Sequence, residues 1–365
     1  MKPFFSFVIP CCDVEPYIRE CLQSILSQSF QDWECILGIE ASKDRTEESI
    51  REMTAGDPRF KIFTSPRTGS CSASRNTGTD MAQGEYVIFL DGDDMIEADC
   101  LTRIHDKIEA RPGADMYPCA IVTRNEIGGT DELRDNYRLD APEEMSGVEA
   151  TLYLEKNWHG SYCPMLQITV FRREFLVEHD LKCIYGLRNQ DSEFSPRALY
   201  LAKRVVPIHE PFYLYRIRTG SVQTKKKSAD HFMKDWAIIT GSLIAFYGRV
   251  SQMPDFDRRV APCWTRQWLS RMNYRWFSEK SLRMIPREKR LETLKSIFAN
   301  GFDSYRDLLK YGSFPQRMAG YWVLTFIRHP SMRWAAELFF RHYFRYVERK
   351  ARKRGSFCQQ IDPQK

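Results

Sequence analysis

Nothing in this 365-residue chain is long and apolar enough to span a bilayer, which takes about 20 residues; its apolar runs are short. The N-terminal MKPFFSFVIP turns polar with no extended apolar core and no small-residue cleavage site. It therefore reads as a first buried strand and not as a secretory leader. Eleven cysteines occur, but no C-x-x-C pair. That spacing argues against zinc ribbons and thioredoxin-type redox centres. Scattered free thiols suit a reducing compartment, so the expected location is cytoplasmic, including the cytoplasmic face of the inner membrane. G-x-S-x-G, H-E-x-x-H and P-loop motifs are absent, and with them support for hydrolase or kinase chemistry. Internal repeats and low-complexity segments are absent too.

What is present is the composition of a folded soluble protein, 43% hydrophobic and 28% charged. The length suits one large domain or two ordinary ones. The net charge of +6 conceals an asymmetry: residues 1–100 hold 9 Lys and Arg against 18 Asp and Glu, and the remainder 45 against 30. Any surface for an anionic partner is expected in the C-terminal part.

Up to residue 125, strand-like and helix-like segments alternate. Phe5–Ile9, Trp33–Ile39, Phe60–Thr64, Tyr86–Leu90 and Met116–Val122 read as strands. Glu15–Ser27, Thr46–Met53, Ser72–Ala82 and Ala98–Glu109 read as helices, the first with Asp13 as its cap and Pro16 in its first turn. This alternation predicts a parallel α/β sheet with helices on both faces. Ligands of such sheets bind beyond the carboxyl ends of the strands, which places the loops after Ile9, Ile39 and Leu90 at one edge. Residues 126–160 are polar and turn-rich and read as a connecting segment. Ile168–Phe175, Val205–Ile208 and Phe212–Tyr215 read as a mixed second half of the core. From about residue 229 the chain becomes helical and aromatic.

At the expected edge lies FLDGDD, residues 89–94, with three carboxylates in four positions. Like charges that close repel unless a cation or strong donors accompany them. Paired hard oxygens at Asp91 and Asp93 suit Mg²⁺ or Mn²⁺ bridging to a diphosphate. An ordinary Asp-Gly turn closing a strand suits the same letters.

The surroundings weigh on that choice. SFVIP (residues 6–10), EASKDRT (40–46), GSCSASRNTG (69–78) and AQGEYVIFLDGDD (82–94) stand in order at matching loop positions. Together they resemble the family 2 glycosyltransferases of GT-A fold, strongly over residues 4–110. The resemblance resumes over residues 171–222, in FRREFL, NQDSEF and PFYLYRIRTGSV. It implies a Rossmann-like mixed sheet flanked by helices, with a C-terminal helical extension. The implied domains are a catalytic domain over residues 1–228 (a nucleotide-binding half 1–125, an acceptor half 126–228) and a basic, aromatic helical region over 229–365. The implied reaction moves a sugar from a nucleotide donor, a UDP-sugar, to a saccharide or lipid-linked saccharide with inversion, in bacterial surface polysaccharide assembly.

Under that resemblance Asp93 binds Mn²⁺ or Mg²⁺, and Asp91 holds the donor ribose or the metal's shell. Pro10, Glu40 and Arg75 line the nucleotide pocket, and Asp191 is the base. Arg216 and Arg218 are candidates to clamp the leaving diphosphate. Trp158 is a candidate sugar-stacking platform, beside His159, for which a structural role is the plainer reading. The chain departs from the family pattern in four places: Cys11-Cys12-Asp13 replaces x-Y-N, Glu40 replaces Asp, Gln190 replaces Glu, and Arg218 stands where many relatives have His. These departures keep open a non-catalytic glycan- or membrane-binding member. The family's processive synthases carry transmembrane helices and Q-x-x-R-W, both absent here, so single additions are expected.

The C-terminal SMRWAAELFFRHYFRYVERKARKR, residues 331–354, holds seven Lys and Arg and one Glu from Arg341 to Arg354. Trp334, Leu338, Phe339 and Tyr346 can share a helical face, with Arg341, Arg345 and Arg349 spaced at four. Aromatics interleaved with cations suit an anionic membrane surface. A core-packing helix with a solvated basic end suits the same letters. No nucleic-acid motif accompanies it, so no nucleic-acid partner is expected.

Overall fold

A computed structural model describes residues 2–137, 139–158, 165–218, 229–269, 276–278, 283, 285–298 and 301–353. The chain divides into two compact units, residues 1–154 with 163–224, and residues 155–162 with 225–365.

Up to residue 217 the elements are, in order, β1 (Phe5–Cys11), α1 (Glu15–Leu26), β2 (Trp33–Glu40), α2 (Thr46–Thr54), β3 (Phe60–Ser65), α3 (Ser72–Met81), β4 (Tyr86–Phe89), β5 (Met95–Ile96), α4 (Cys100–Ala110), β6 (Met116–Asn125), β7 (Glu132–Arg134), α5 (Gly147–Trp158), β8 (Thr169–Arg172), α6 (Arg173–Glu178), α7 (Asp191–Leu201) and β9 (Ile208–Ile217). The sheet order is β3-β2-β1-β4-β8-β6-β9-β5, and β7 pairs with β6. β1 runs parallel to β2 and β4, and β2 parallel to β3. β8 lies antiparallel between β4 and β6, which makes the sheet mixed.

Every residue of β1 and β2 is buried, as strands covered on both faces require. The registers Val8↔Phe89 and Cys11↔Ile39 bring the ends of β1, β2 and β4 to one edge. Helix α3 can lie close on β1 because Gly78 has no side chain; a Cβ there would stand 2.5 Å from Val8 Cγ1.

Four local expectations are corrected. Asp13 does not cap α1: its φ is +53°, Val14 occupies the cap position, and the Asp13 carboxylate accepts instead from the Lys43 N–H and from Arg67. Residues 126–160 contain a helix, α5, because Ala150 and Leu154 supply a buried face within an otherwise polar segment. Ile168–Phe175 is not one strand: β8 is short, and α6 starts at Arg173. Val205 makes only isolated bridges, to Met116 and Met145, whereas Ile208–Ile217 forms one continuous strand.

The second unit contains α8 (Ala229–Val250), α9 (Ala261–Trp264), α10 (Arg287–Phe298), α11 (Phe302–Leu309), α12 (Phe314–Arg328) and α13 (Arg333–Lys353). Aromatic packing holds it together: Phe277 stacks on Phe340 at 4.1 Å, and Trp264 meets Tyr247 edge-on at 5.8 Å. On α13, Ala336, Phe340 and Phe344 are buried, while Trp334, Leu338 and Tyr346 are 62%, 47% and 57% exposed. Phe339 is half-buried and stacks on Trp322 at 5.5 Å. Among the described residues no helix is long and apolar enough to cross a membrane.

Candidate active site

The three carboxylates after β4 occupy one tight turn. Leu90 N–H donates to Val8 C=O at 3.2 Å, and Asp94 N–H closes the turn on Asp91 C=O at 2.9 Å. The turn packs on the end of β1, where a Cβ on Gly92 would stand 3.3 Å from the carbonyl oxygen of Pro10.

Each carboxylate has its own donors. Asp91 accepts from Arg75 Nη2 on one oxygen and from Gln167 Nε2, at 2.8 Å, on the other. Asp93 accepts from Arg218 Nε at 3.0 Å and Nη2 at 2.8 Å, both on Oδ2. Asp94 accepts from the Tyr213 hydroxyl at 2.6 Å and the Arg216 backbone N–H at 2.8 Å. Residues from α3, from the approach to β8 and from β9 thus converge on four consecutive positions. Burial pushes the Asp94 carboxyl well above the usual carboxylate range, with the charges of Asp93 and Asp91 adding to the effect. Asp93 is raised by burial and by Asp91, and Arg218 opposes both.

Arg75 is buried and joins the turn to α7. Its Nη1 donates to Gln190 Oε1 at 3.2 Å, and Gln190 Nε2 donates to Ser70 Oγ at 3.1 Å. Gln190 uses one acceptor and one donor here, which a carboxylate in its place could not do. The next residue, Asp191, begins α7 and accepts from the Ser192 N–H at 2.9 Å. Among the described residues no side chain donates to the Asp191 carboxylate. Burial raises it from the usual carboxylate range, with Asp91 adding and the Ser192 N–H and Arg75 opposing. A carboxylate without a side-chain donor and with a raised proton affinity is suited to accept a proton.

The other expected site residues are distributed as follows. Glu40 is buried at the end of β2 and accepts from the Thr68 N–H at 3.0 Å and hydroxyl at 2.8 Å, so it secures the loop before α3. The Arg216 guanidinium bonds Glu20, Glu126 and the Asp93 C=O, and so braces the turn instead of facing an open space. Arg218 lies over the Tyr17 ring, 4.5 Å from its centroid. Trp158 ends α5, but its side chain lies outside the described residues, as does His159. Sequence reasoning missed Gln167 and Tyr213. Gln167 is uncharged and stands in no motif. Tyr213 sits in PFYLYRIR among residues that read simply as strand.

Mn²⁺ or Mg²⁺ was expected on Asp93 and Asp91. Among the described residues no group of three or more His, Cys, Asp and Glu side chains is arranged to hold a metal ion. The hard oxygens have the right chemistry, but both Asp91 oxygens are engaged and Asp93 is already paired with a guanidinium. In this arrangement the side chains do not fit a resident divalent ion.

The mixed sheet, with the acidic turn at its edge, has the architecture of a GT-A-like fold. A crystal structure of S. aureus TarS in complex with UDP-GlcNAc superposes with a TM-score of 0.70, covering 97% of this chain and 93% of that one at 18% identity. That likeness speaks to the fold. In sequence, the family described as "Glycosyl transferase family 2" matches residues 6–178 of this chain. The chain is also similar to an uncharacterized glycosyltransferase, EpsJ, of Bacillus subtilis: 28% identical over 257 residues, 68% of this chain and 70% of the relative. Glycosyltransferase GlyA of Streptococcus pneumoniae is 29% identical over 220 residues, 60% of this chain and 31% of that protein.

Proposed function

We propose that this glycosyltransferase takes its sugar from a UDP-sugar and delivers it, with inversion, to a hydroxyl of a lipid-linked saccharide during bacterial surface polysaccharide assembly. The observation that carries the reading is the Asp191 carboxylate. It is raised in proton affinity, has no side-chain donor among the described residues, and is linked through Gln190 and Arg75 to the Asp91–Asp94 turn.

In the proposed step Asp191 takes the acceptor's hydroxyl proton as the acceptor oxygen bonds to the anomeric carbon. The bond from that carbon to the donor's diphosphate oxygen breaks, and the diphosphate leaves with the electron pair. Pro10, Glu40, Arg75 and Asp91 line the nucleotide site, and Arg218 faces the developing negative charge. Trp158 is proposed as the acceptor's stacking platform. The catalytic domain is proposed to span residues 1–228, its nucleotide and acceptor halves meeting near residue 125. Calorimetric titration with UDP, GDP, CDP and ADP tests the donor class. UDP is expected to bind most tightly, and a folded sample that binds none of the four would sink the reading.

We further propose that the protein works at the cytoplasmic face of an anionic membrane through residues 331–354. Trp334, Leu338, Arg341 and Arg345 are all exposed on α13 at a spacing of three to four, which suits an interfacial helix. In sedimentation with vesicles, Arg341→Ala with Arg345→Ala is expected to weaken binding to phosphatidylglycerol by about tenfold or more, since each cation near such a surface contributes about 1 kcal/mol. Equal binding of wild type to phosphatidylcholine and phosphatidylglycerol would contradict an electrostatic attachment.

A further inference from the structure

The charge arrangement at Asp93 raises a question that the family reading leaves open. A divalent cation in such a turn would neutralise the carboxylates and the donor diphosphate together. Here a side chain already occupies that electrostatic position. Arg218 places two N–H groups on one oxygen of Asp93, at 3.0 and 2.8 Å. The pair is only partly solvated, with side-chain exposures of 17% for Arg218 and 26% for Asp93, so its attraction is less screened than at an open surface.

The guanidinium is also held in place. It lies over the Tyr17 ring at 4.5 Å. Two residues earlier, on β9, Arg216 is tied to the turn by its backbone N–H on Asp94 and its Nε on the Asp93 C=O. Its remaining donors go to Glu20 and Glu126. The end of β9 is therefore fixed against the turn, and Arg218 directly follows that braced strand end.

We propose that Arg218 is a built-in counter-cation of the donor site, doing for the diphosphate what a divalent ion would do, so that nucleotide binding does not require a metal. A divalent ion at Asp93 would have to share that carboxylate with Arg218, whose two N–H groups hold Oδ2, and would stand beside a second positive charge. A guanidinium presents its N–H donors in a planar fork. Its geometry matches carboxylate and phosphate oxygens at once. The inference rests on the nucleotide-sugar reading above and deepens it.

The test is calorimetric binding of UDP in EDTA and in Mn²⁺, by wild type, Arg218→Met and Arg218→His. The thermal unfolding of each variant is measured alongside. Wild type is expected to bind UDP in EDTA within about threefold of its affinity in Mn²⁺. Arg218→Met is expected to lose about tenfold or more in EDTA, the scale of a lost charge-assisted hydrogen bond, and to recover part of it in Mn²⁺. Arg218→His exchanges the counter-cation for a metal ligand, so its UDP affinity should rise with Mn²⁺ more steeply than that of wild type. Direct Mn²⁺ titration followed by electron paramagnetic resonance, without nucleotide, should show tighter binding by Arg218→His than by wild type. Wild-type UDP binding abolished by EDTA would overturn the inference and leave the transferase reading intact. Unchanged UDP affinity of folded Arg218→Met in EDTA would overturn it as well. If no nucleotide binds in either buffer, both fall together.

Discussion

Asp191→Asn is expected to lower kcat by roughly 10²–10⁴-fold, the contribution of a well-placed general base. UDP affinity should change little, because the carboxylate is assigned to the acceptor's proton and not to the nucleotide. Single-turnover rates and UDP titration on the same preparation separate the two effects. The sign of the pH dependence follows from the raised Asp191 carboxyl. A base must be ionised, so activity falls as pH drops through its raised pKa. The acid limb of kcat/KM should therefore lie above the ordinary aspartate value of about 4. The residual activity of Asp191→Asn should lack that limb. A variant with wild-type kcat, or one that keeps the same limb, would remove Asp191 from the proton transfer.

Arg75→Met is expected to destabilise the fold by about 3–5 kcal/mol, the range for removing one partner of a buried ion pair. Asp91 is partly exposed, which places the loss toward the lower end. The physical cause is what the substitution leaves behind. Among the described residues Asp91 keeps only Gln167 as a side-chain donor, and Gln190 Oε1 loses its guanidinium partner. Methionine roughly keeps the length of the side chain, so packing is disturbed less than charge. Urea unfolding of Arg75→Met, Asp91→Asn and the double variant measures the coupling. The double variant should be more stable than Arg75→Met alone, because the uncompensated charge is gone. Additive losses would show that Arg75 acts through packing and not through Asp91.

The parts of the fold legible in the sequence are those with short-range signals. β1, β2 and β4 are apolar runs that end in turn residues, and their elements lie close to where the periodicity puts them. The turn after β4 was legible as a cluster of like charges. At Asp13 and Arg173 a distant partner accompanies the departure from the local pattern. Asp13 has the chemistry of a helix cap, but Lys43 and Arg67 take its carboxylate. Arg173 begins a helix where the apolar letters read as continuing strand, while Arg173 N–H donates to Glu85 C=O. Helix α5 hides in a polar stretch because, among its described side chains, only two apolar ones, Ala150 and Leu154, are buried.

Through the order and spacing of its motifs the sequence alone determined the family resemblance, the mixed α/β sheet and the edge where the acidic turn lies. It also presented Asp91, Asp93, Asp94 and Asp191 as the acidic groups to explain. Only the tertiary structure decided how those charges are tolerated. Arg75 lies 16 residues from Asp91, Gln167 lies 76, and Arg218 lies 125 from Asp93. No local pattern encodes pairings at such separations. They arise when parallel and antiparallel strands bring β4, β8 and β9 together, and a carboxylate withdrawn from water must be met by whichever donors the fold delivers.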